Sequence, residues 1–256
     1  MTLQAVIFDV DGTLADTEEV HRLAFNAAFH DKGLPWKWDV PLYRQLLSVT
    51  GGKERIRHFC ETQDRHFLEQ PAAKDVIAEL HAGKTRHYTR LVHEGAVPPR
   101  SGVIRLLHDL SANGIRLAIA TTTTRANVDA LLEASFSSLP ASAAFEVIGA
   151  AEEVPVKKPA PDIYLWALEK LGLAPGDCLA IEDSRNGLLA GRGAGLPVVV
   201  TECAWTEGGN FSEALAVYSD LGEPGHPHRV LHSPVQGPGY LDAAGLQRLH
   251  EAWTGT

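Results

Sequence analysis

The 256-residue chain lacks three things: a surplus of positive charge, a set of cysteines and any long apolar run. Lys and Arg number 23 against 32 Asp and Glu, a formal charge of −9, which is the wrong sign for a protein that neutralises nucleic-acid phosphates over a broad face. An anionic ligand would therefore have to meet positive charge locally, at a metal ion or at a few placed Lys and Arg. Cys60, Cys178 and Cys203 are too few and too scattered for a disulfide framework or a four-thiolate zinc site, which points to a reducing compartment. Nowhere do about 18 apolar residues run together, and no basic leader precedes the first apolar stretch. The expectation is a cytoplasmic protein without a membrane span, or a plastid-like location where a transit segment has been removed.

What is present is ordinary globular composition, 45% hydrophobic and 21% charged, on a length that allows one large domain or two. Short β-rich runs ending in polar residues recur at Ala5–Val10, Ile115–Ala120, Glu146–Gly149, Cys178–Ile181 and Pro197–Thr201, with helical patterns between most of them. This predicts an α/β fold built on a parallel sheet. From about Thr17 to Pro98 the pattern offers amphipathic helices and no strand, so an inserted all-helical domain is expected, with crossings near Ala15–Asp16 and Gly95–Arg100. Its first helix carries an apolar stripe of Val20, Leu23, Ala24, Ala27 and Ala28 and stops at Gly33; its last covers roughly Ala72–His93. Downstream, Ser101 is placed to cap a helix bearing Val103, Leu106, Leu107 and Leu110. After about Glu202, Gly and Pro punctuate a tail read as a peripheral finish to the sheet, with one further strand near Ala216–Leu221 and no chemistry.

Four segments carry chemistry. Phe8-Asp9-Val10-Asp11-Gly12-Thr13 lies where the first strand ends, the ligand-binding edge of open α/β sheets. Alternation puts Asp9 and Asp11 on one side, able to share a cation or to divide nucleophile and proton-transfer roles, although a solvated Asp-Gly turn has the same spacing. Thr121, Thr122 and Thr123 follow a buried-type strand, where hydroxyls and free N–H groups suit phosphate oxygens as well as a helix cap. Lys157-Lys158-Pro159-Ala160-Pro161 sets two lysines in a proline-stiffened loop that could hold a cationic side chain at one point, although by itself the segment reads better as a solvated basic turn before a helix. Glu182-Asp183 ends an apolar strand with two acids, suited to a hard cation or to a helix cap.

In this order the set Asp9-x-Asp11-Gly12-Thr13, Thr121, Lys158-Pro159 and Glu182-Asp183 resembles the haloacid dehalogenase superfamily over nearly the whole chain. The resemblance implies a Rossmann-like parallel-sheet core, residues 1–15 and 99–256, with a helical cap, residues 16–98. Within the small-cap branch, Thr17-Glu18-Glu19-Val20-His21-Arg22, Thr50-Gly51-Gly52-Lys53-Glu54-Arg55 and Lys157-Lys158-Pro159-x-Pro161-Asp162 resemble the CbbY-like sugar-bisphosphate phosphatases, whose implied substrate is xylulose 1,5-bisphosphate, an inhibitor of Rubisco. The expected partner is a small phosphorylated sugar, taken by a monomer; the charge and the lack of long apolar runs argue against nucleic acid and membrane partners. By the same resemblance Asp9 is the nucleophile, Asp11 the acid–base, Thr121 and Lys158 hold the phosphoryl group, and Mg²⁺ is held by Asp9, Asp11, Asp183 and Glu182.

The cap must recognise the unreactive end of the substrate. Gly51, Gly52, Lys53 and Arg55 offer a second anion site of backbone N–H groups beside cations. Glu18, His21, Tyr43 and Lys157 are further candidates for sugar contacts, while Trp36 and Trp38 read as cap packing. Thr13 favours a phosphatase over a β-phosphoglucomutase-like phosphomutase, since the mutases of this branch commonly carry Val there. A phosphoglycolate phosphatase and a non-enzymatic phosphosugar-binding module are the remaining alternatives.

Overall fold

A computed structural model describes residues 2–95, 97–137, 139 and 144–255. Seven strands form one sheet in the order β3-β2-β1-β4-β5-β6-β7: β1 (Ala5–Phe8), β2 (Arg116–Ala120), β3 (Val147–Gly149), β4 (Cys178–Glu182), β5 (Val198–Thr201), β6 (Ala216–Tyr218) and β7 (Val230–His232). All neighbours are parallel except β6 and β7. β1 is central, with Phe8 in register with Ile119 of β2 and Ile181 of β4. The chain runs outward from β1 in both directions, so a crevice opens beyond the carboxyl ends of β1, β2 and β4.

The alternation of each strand feeds two apolar layers. Val6, Phe8, Leu117, Ile119, Leu179 and Ile181 meet α6 (Val103–Ala112), α7 (Arg125–Ser135) and α10 (Ala243–Thr254). Ala5, Ile7, Ala118, Ala120 and Ala180 face α8 (Asp162–Leu171) and α9 (Arg185–Gly193). Small residues on that second face let the helices approach closely; a Cβ on Gly191 of α9 would lie 2.8 Å from Val198 of β5.

Between β1 and α6 lie five helices: α1 (Glu18–Asp31), α2 (Val40–Leu46), α3 (Gly52–Gln63), α4 (Arg65–Leu68) and α5 (Ala73–His93). They enclose their own aromatic cluster, in which Phe25, Phe29, Trp36, Trp38, Tyr43 and Phe59 meet mostly edge-on or tilted. The architecture is thus an α/β Rossmann-like core with a helical cap. The two crossings run side by side: Ala15 bridges Pro99, and the Arg100 N–H donates to the Leu14 carbonyl at 2.9 Å.

Three local expectations are corrected. Leu23 is exposed and Ala27 only partly covered; the buried stripe of α1 is Val20, His21, Ala24, Phe25, Ala28 and Phe29, because the large aromatics of the cap turn the helix toward them. Ser101 does not cap α6. The cap position is Gly102, left-handed at φ +80, where a Cβ would meet the Gly222 carbonyl at 2.4 Å. The tail holds more than one strand: β6 is followed by the antiparallel edge strand β7 and by α10, whose Asp242 side chain accepts from the Gly245 N–H at 2.6 Å. Among the described residues no helix is long and apolar enough to cross a membrane.

Candidate active site

Asp9 follows β1, and its N–H donates to the Ile181 carbonyl, carrying the sheet register one residue past the strand. The chain then turns at Gly12, φ +80, where a Cβ would lie 2.2 Å from an oxygen of Asp183. Only glycine lets the turn pass beneath that carboxylate. Asp183 and Glu182 close β4, so Asp9, Glu182 and Asp183 are buried together, with one carboxylate oxygen from each within 4.8 Å of the others.

Lys158 enters this acid group from the loop before α8. Its ammonium donates to Asp9 Oδ1 at 2.6 Å, Glu182 Oε1 at 2.5 Å and the Ala120 carbonyl at 2.9 Å. Glu182 is itself gripped: the Tyr164 hydroxyl donates to Oε1 at 2.5 Å, and a Cβ on Gly187 would fall 1.8 Å from Oε2. Its Oε1 is thus committed to Lys158 and Tyr164, which makes Glu182 the anchor of Lys158.

Burial raises the Asp9 carboxyl to about 8 despite Lys158, with Glu182 and Asp11 adding to the rise. Burial likewise pushes Asp183 well above the usual carboxylate range, helped by Asp9 and Glu182. Among the described residues, the only hydrogen-bond partner of the Asp183 side chain is the weak thiol donor of Cys203, at 3.3 Å. Three buried acids with one ammonium and an under-satisfied all-oxygen edge fit a hard divalent cation.

Asp11 faces the cap. Burial pushes its carboxyl up, but the His21 imidazole and the Thr17 hydroxyl outweigh this and hold it well below the usual range. Oδ1 accepts from Thr17 Oγ1 at 2.5 Å and from His21 Nε2 at 2.8 Å. The other ring nitrogen, Nδ1, lies 2.6 Å from the Lys84 ammonium, a group that can only donate, so Nδ1 accepts and Nε2 carries the proton toward Asp11. Burial lowers Lys84 to about 8.

One side of the cavity is a row of hydroxyls. Thr121 is buried, its N–H bound to the Gly149 carbonyl and its hydroxyl accepting from the Thr123 N–H at 3.3 Å. Thr122, Thr123 and Asn127 border the same cavity, which Asp9, Asp11, Lys158 and Asp183 also line.

The cap supplies the far wall with Glu18, His21, Gly51, Gly52 and Arg55. Tyr43 is fully buried behind them, its hydroxyl donating to Glu18 Oε2 at 2.7 Å and accepting from Arg55 at 2.9 Å. Two candidates lie elsewhere. Lys53 is exposed and borders a separate groove with Glu54 and Arg57. Lys157 donates to the carbonyls of Ala151 and Val154, tying its own loop, and does not border the cavity.

The structure adds residues that sequence reasoning missed. Lys84 sits on the otherwise apolar stripe Ile77, Leu80, Tyr88, Val92 of α5, and a lysine in that register was a legible signal. His81 packs against the start of α3, where a Cβ on Gly52 would lie 2.5 Å from its ring. Burial, with Lys84 and Lys53 nearby, pushes the His81 imidazole down to about 3. The loop after β5, assigned no chemistry from sequence, brings Cys203 against Asp183 and sets Trp205 and Thr206 at the cavity. No local pattern marks that loop, because its importance comes from where β5 ends beside β4.

Residues 3–195 match the family model of the haloacid dehalogenase-like hydrolases. The chain belongs to that family. It is 49% identical to a plasmid-borne CbbY of Cupriavidus necator over 248 residues, 97% of each chain, and 54% identical to CbbY of Rhodobacter capsulatus over 84% of this chain and 92% of that one. Its structure resembles that of mutant CbbY from Rhodobacter sphaeroides in complex with xylulose-(1,5)-bisphosphate, with TM-score 0.79, 43% identity, and coverage of 87% of this chain and 96% of that one. The haloacid dehalogenase-like chain is therefore an enzyme, a phosphatase of the CbbY-like group.

Proposed function

We propose that the chain is a Mg²⁺-dependent phosphatase of a ketose bisphosphate, xylulose 1,5-bisphosphate, with Asp9 as the nucleophile and residues 16–98 acting as its cap. One observation carries this reading: a single cavity has Asp9, Thr121 and Lys158 at its floor and Arg55, Lys84, His81 and the N-terminus of the twelve-residue helix α3 at its roof. A floor and a roof that each suit an anion fit a molecule with a phosphate at both ends. The likeness to a CbbY whose structure contains that bisphosphate supports the choice among sugars.

Lys158 and the Thr121–Thr123 turn orient the phosphoryl group over Asp9, and the Lys158 ammonium pulls the Asp9 carboxyl down against the burial and the acidic neighbours that raise it. Asp9 attacks phosphorus and the sugar oxygen departs, leaving a phosphoaspartate. Asp11, aligned by Thr17 and His21 and resting as a carboxylate, takes a proton along the Lys84–His21 chain as the sugar oxygen departs, passes it to that oxygen, and later takes one from the attacking water. Mg²⁺ would be held by Asp9 and Asp183 with the Asp11 backbone carbonyl, Glu182 standing behind, and would supply positive charge to the transferring group. Glu18 and Arg55, both held from behind by the Tyr43 hydroxyl, present the sugar-facing polar edge.

The test is a panel of phosphorylated sugars incubated with Mg²⁺ and scored for free phosphate and for isomerised product. Release of one phosphate from the bisphosphate, with the highest kcat/KM of the panel, is expected. Isomerisation without release would replace the reading with a phosphomutase, a preference for phosphoglycolate would move the substrate, and binding without either product would leave a regulatory module.

A further inference from the structure

Among the hydrophobic residues packed on the cap's aromatic cluster, one comes from outside the cap, Trp205 of the loop after β5. Its ring stands edge-on to Tyr43, centroids 5.5 Å apart at 89°, and the Arg44 guanidinium lies 5.7 Å over it. Beside it Asn186, in the first turn of α9, donates from Nδ2 to the Ser48 carbonyl at 3.1 Å and to the Thr50 hydroxyl at 2.8 Å. Two core side chains thus hold one stretch of the cap, residues 43–50, immediately before the Gly51–Gly52 start of α3.

We propose that Trp205 and Asn186 form a docking seat on the core that sets the height of the cap's cationic roof above Asp9, and so select substrates long enough to touch both. For the substrate this rests on the bisphosphate reading above. Tyr43, which Trp205 braces, is hydrogen-bonded to both Glu18 and Arg55, so tilting its ring moves two polar groups of the roof together. The turn that Asn186 grips leads directly into the backbone N–H groups of α3. A misplacement of about 1 Å at such a distance is enough to cost on the order of 100-fold in rate. A short aryl monoester that occupies only the floor does not use the roof; a bisphosphate does. Both residues border the cavity as well, but the role assigned to them is a positioning one: each acts through the cap segment it holds.

The experiment compares wild type, Trp205→Ala, Trp205→Phe and Asn186→Ala in two measurements. In the first, kcat/KM for xylulose 1,5-bisphosphate is divided by that for p-nitrophenyl phosphate. The ratio should fall at least about 10-fold in both Ala variants, chiefly through KM for the bisphosphate, and recover in Trp205→Phe, which keeps a ring edge against Tyr43. An unchanged ratio overturns the specificity role. In the second, amide hydrogen exchange is followed in the intact Mg²⁺-supplemented protein. Amides of residues 46–50 should exchange at least about 10-fold faster in the Ala variants, with β1 and α5 unchanged. Unaltered exchange at 46–50, or acceleration spread over the whole chain, overturns the seat. If wild type does not hydrolyse the bisphosphate, the substrate reading fails and the exchange measurement still decides the docking contact.

Discussion

Replacing Lys158 by Met tests the electrostatics of the cavity floor. The ammonium stands between Asp9, 7% exposed, and Glu182, 0% exposed, and also satisfies the Ala120 carbonyl. Removing one member of a buried ion pair costs about 3–5 kcal/mol, because the remaining charge has no water to replace its partner. The stranded carbonyl adds about 1 kcal/mol. For a chain of this size each kcal/mol moves Tm by roughly 2–4 °C, so a fall of roughly 8–24 °C is expected at pH 8.

The pH dependence fixes the cause. Asp9 and Asp183 have folded-state pKa values above their ordinary one, so each adds stability that is full below about 3.8 and is lost as pH rises through the folded value, about 8 for Asp9. Loss of Lys158, which lowers Asp9, moves that value further up, and the variant's deficit should shrink as pH falls from 10 to 8, the window in which wild-type Asp9 has lost its proton and the variant's has not. Added Mg²⁺ should restore more Tm in the variant than in wild type, since a divalent ion supplies the missing charge. Thermal scans at pH 8, 9 and 10, with and without Mg²⁺, measure all three effects. A deficit under 2 °C at pH 8, or one that grows on acidification, would refute the reasoning.

Asp9→Asn should abolish turnover and Asp11→Asn should lower kcat by roughly 10²–10⁴-fold, the usual contribution of a positioned acid–base group; steady activity in a folded Asp9→Asn protein rejects covalent catalysis there. Arg55→Ala should reduce kcat/KM for the bisphosphate more than for a sugar monophosphate, and equal losses would remove Arg55 from the distal site. His81, held neutral with its pKa down at about 3, takes up a proton readily only when unfolded, so stability is lost as pH falls below 6.5. His81→Gln should therefore raise the urea midpoint at pH 5 relative to pH 8, and a parallel shift at both pH values would contradict this. Gly187→Ala places a methyl 1.8 Å from Glu182 and should destabilise by about 1–3 kcal/mol in urea titration while lowering kcat through displaced Lys158; a neutral outcome would show that the Glu182 clamp is loose.

Much of this protein is written locally. Apolar runs at Ala5, Arg116, Cys178 and Val198 mark strands because period-two burial on a covered parallel sheet needs continuous apolar residues. The acids, hydroxyls and lysine of the floor were legible because each closes a strand or lies just beyond one, and the order of those strands brings their ends to one crevice. Local pattern failed where the signal is a distance between segments. His81 and the Cys203–Thr206 loop carry no motif; α5 reaches the cavity because α1 and α3 pack on it, and the loop reaches it because β5 lies beside β4. Lys53 and Lys157 failed in the opposite sense, having the right charge and neighbours in sequence but side chains directed to a groove and to their own loop. Composition and periodicity therefore determined which segments become strands and helices, and so where the acids and the lysine stand along the chain. Only tertiary packing decided which cations face the cavity and at what height the cap meets the core, because a side chain's direction and partners depend on atoms far away in sequence.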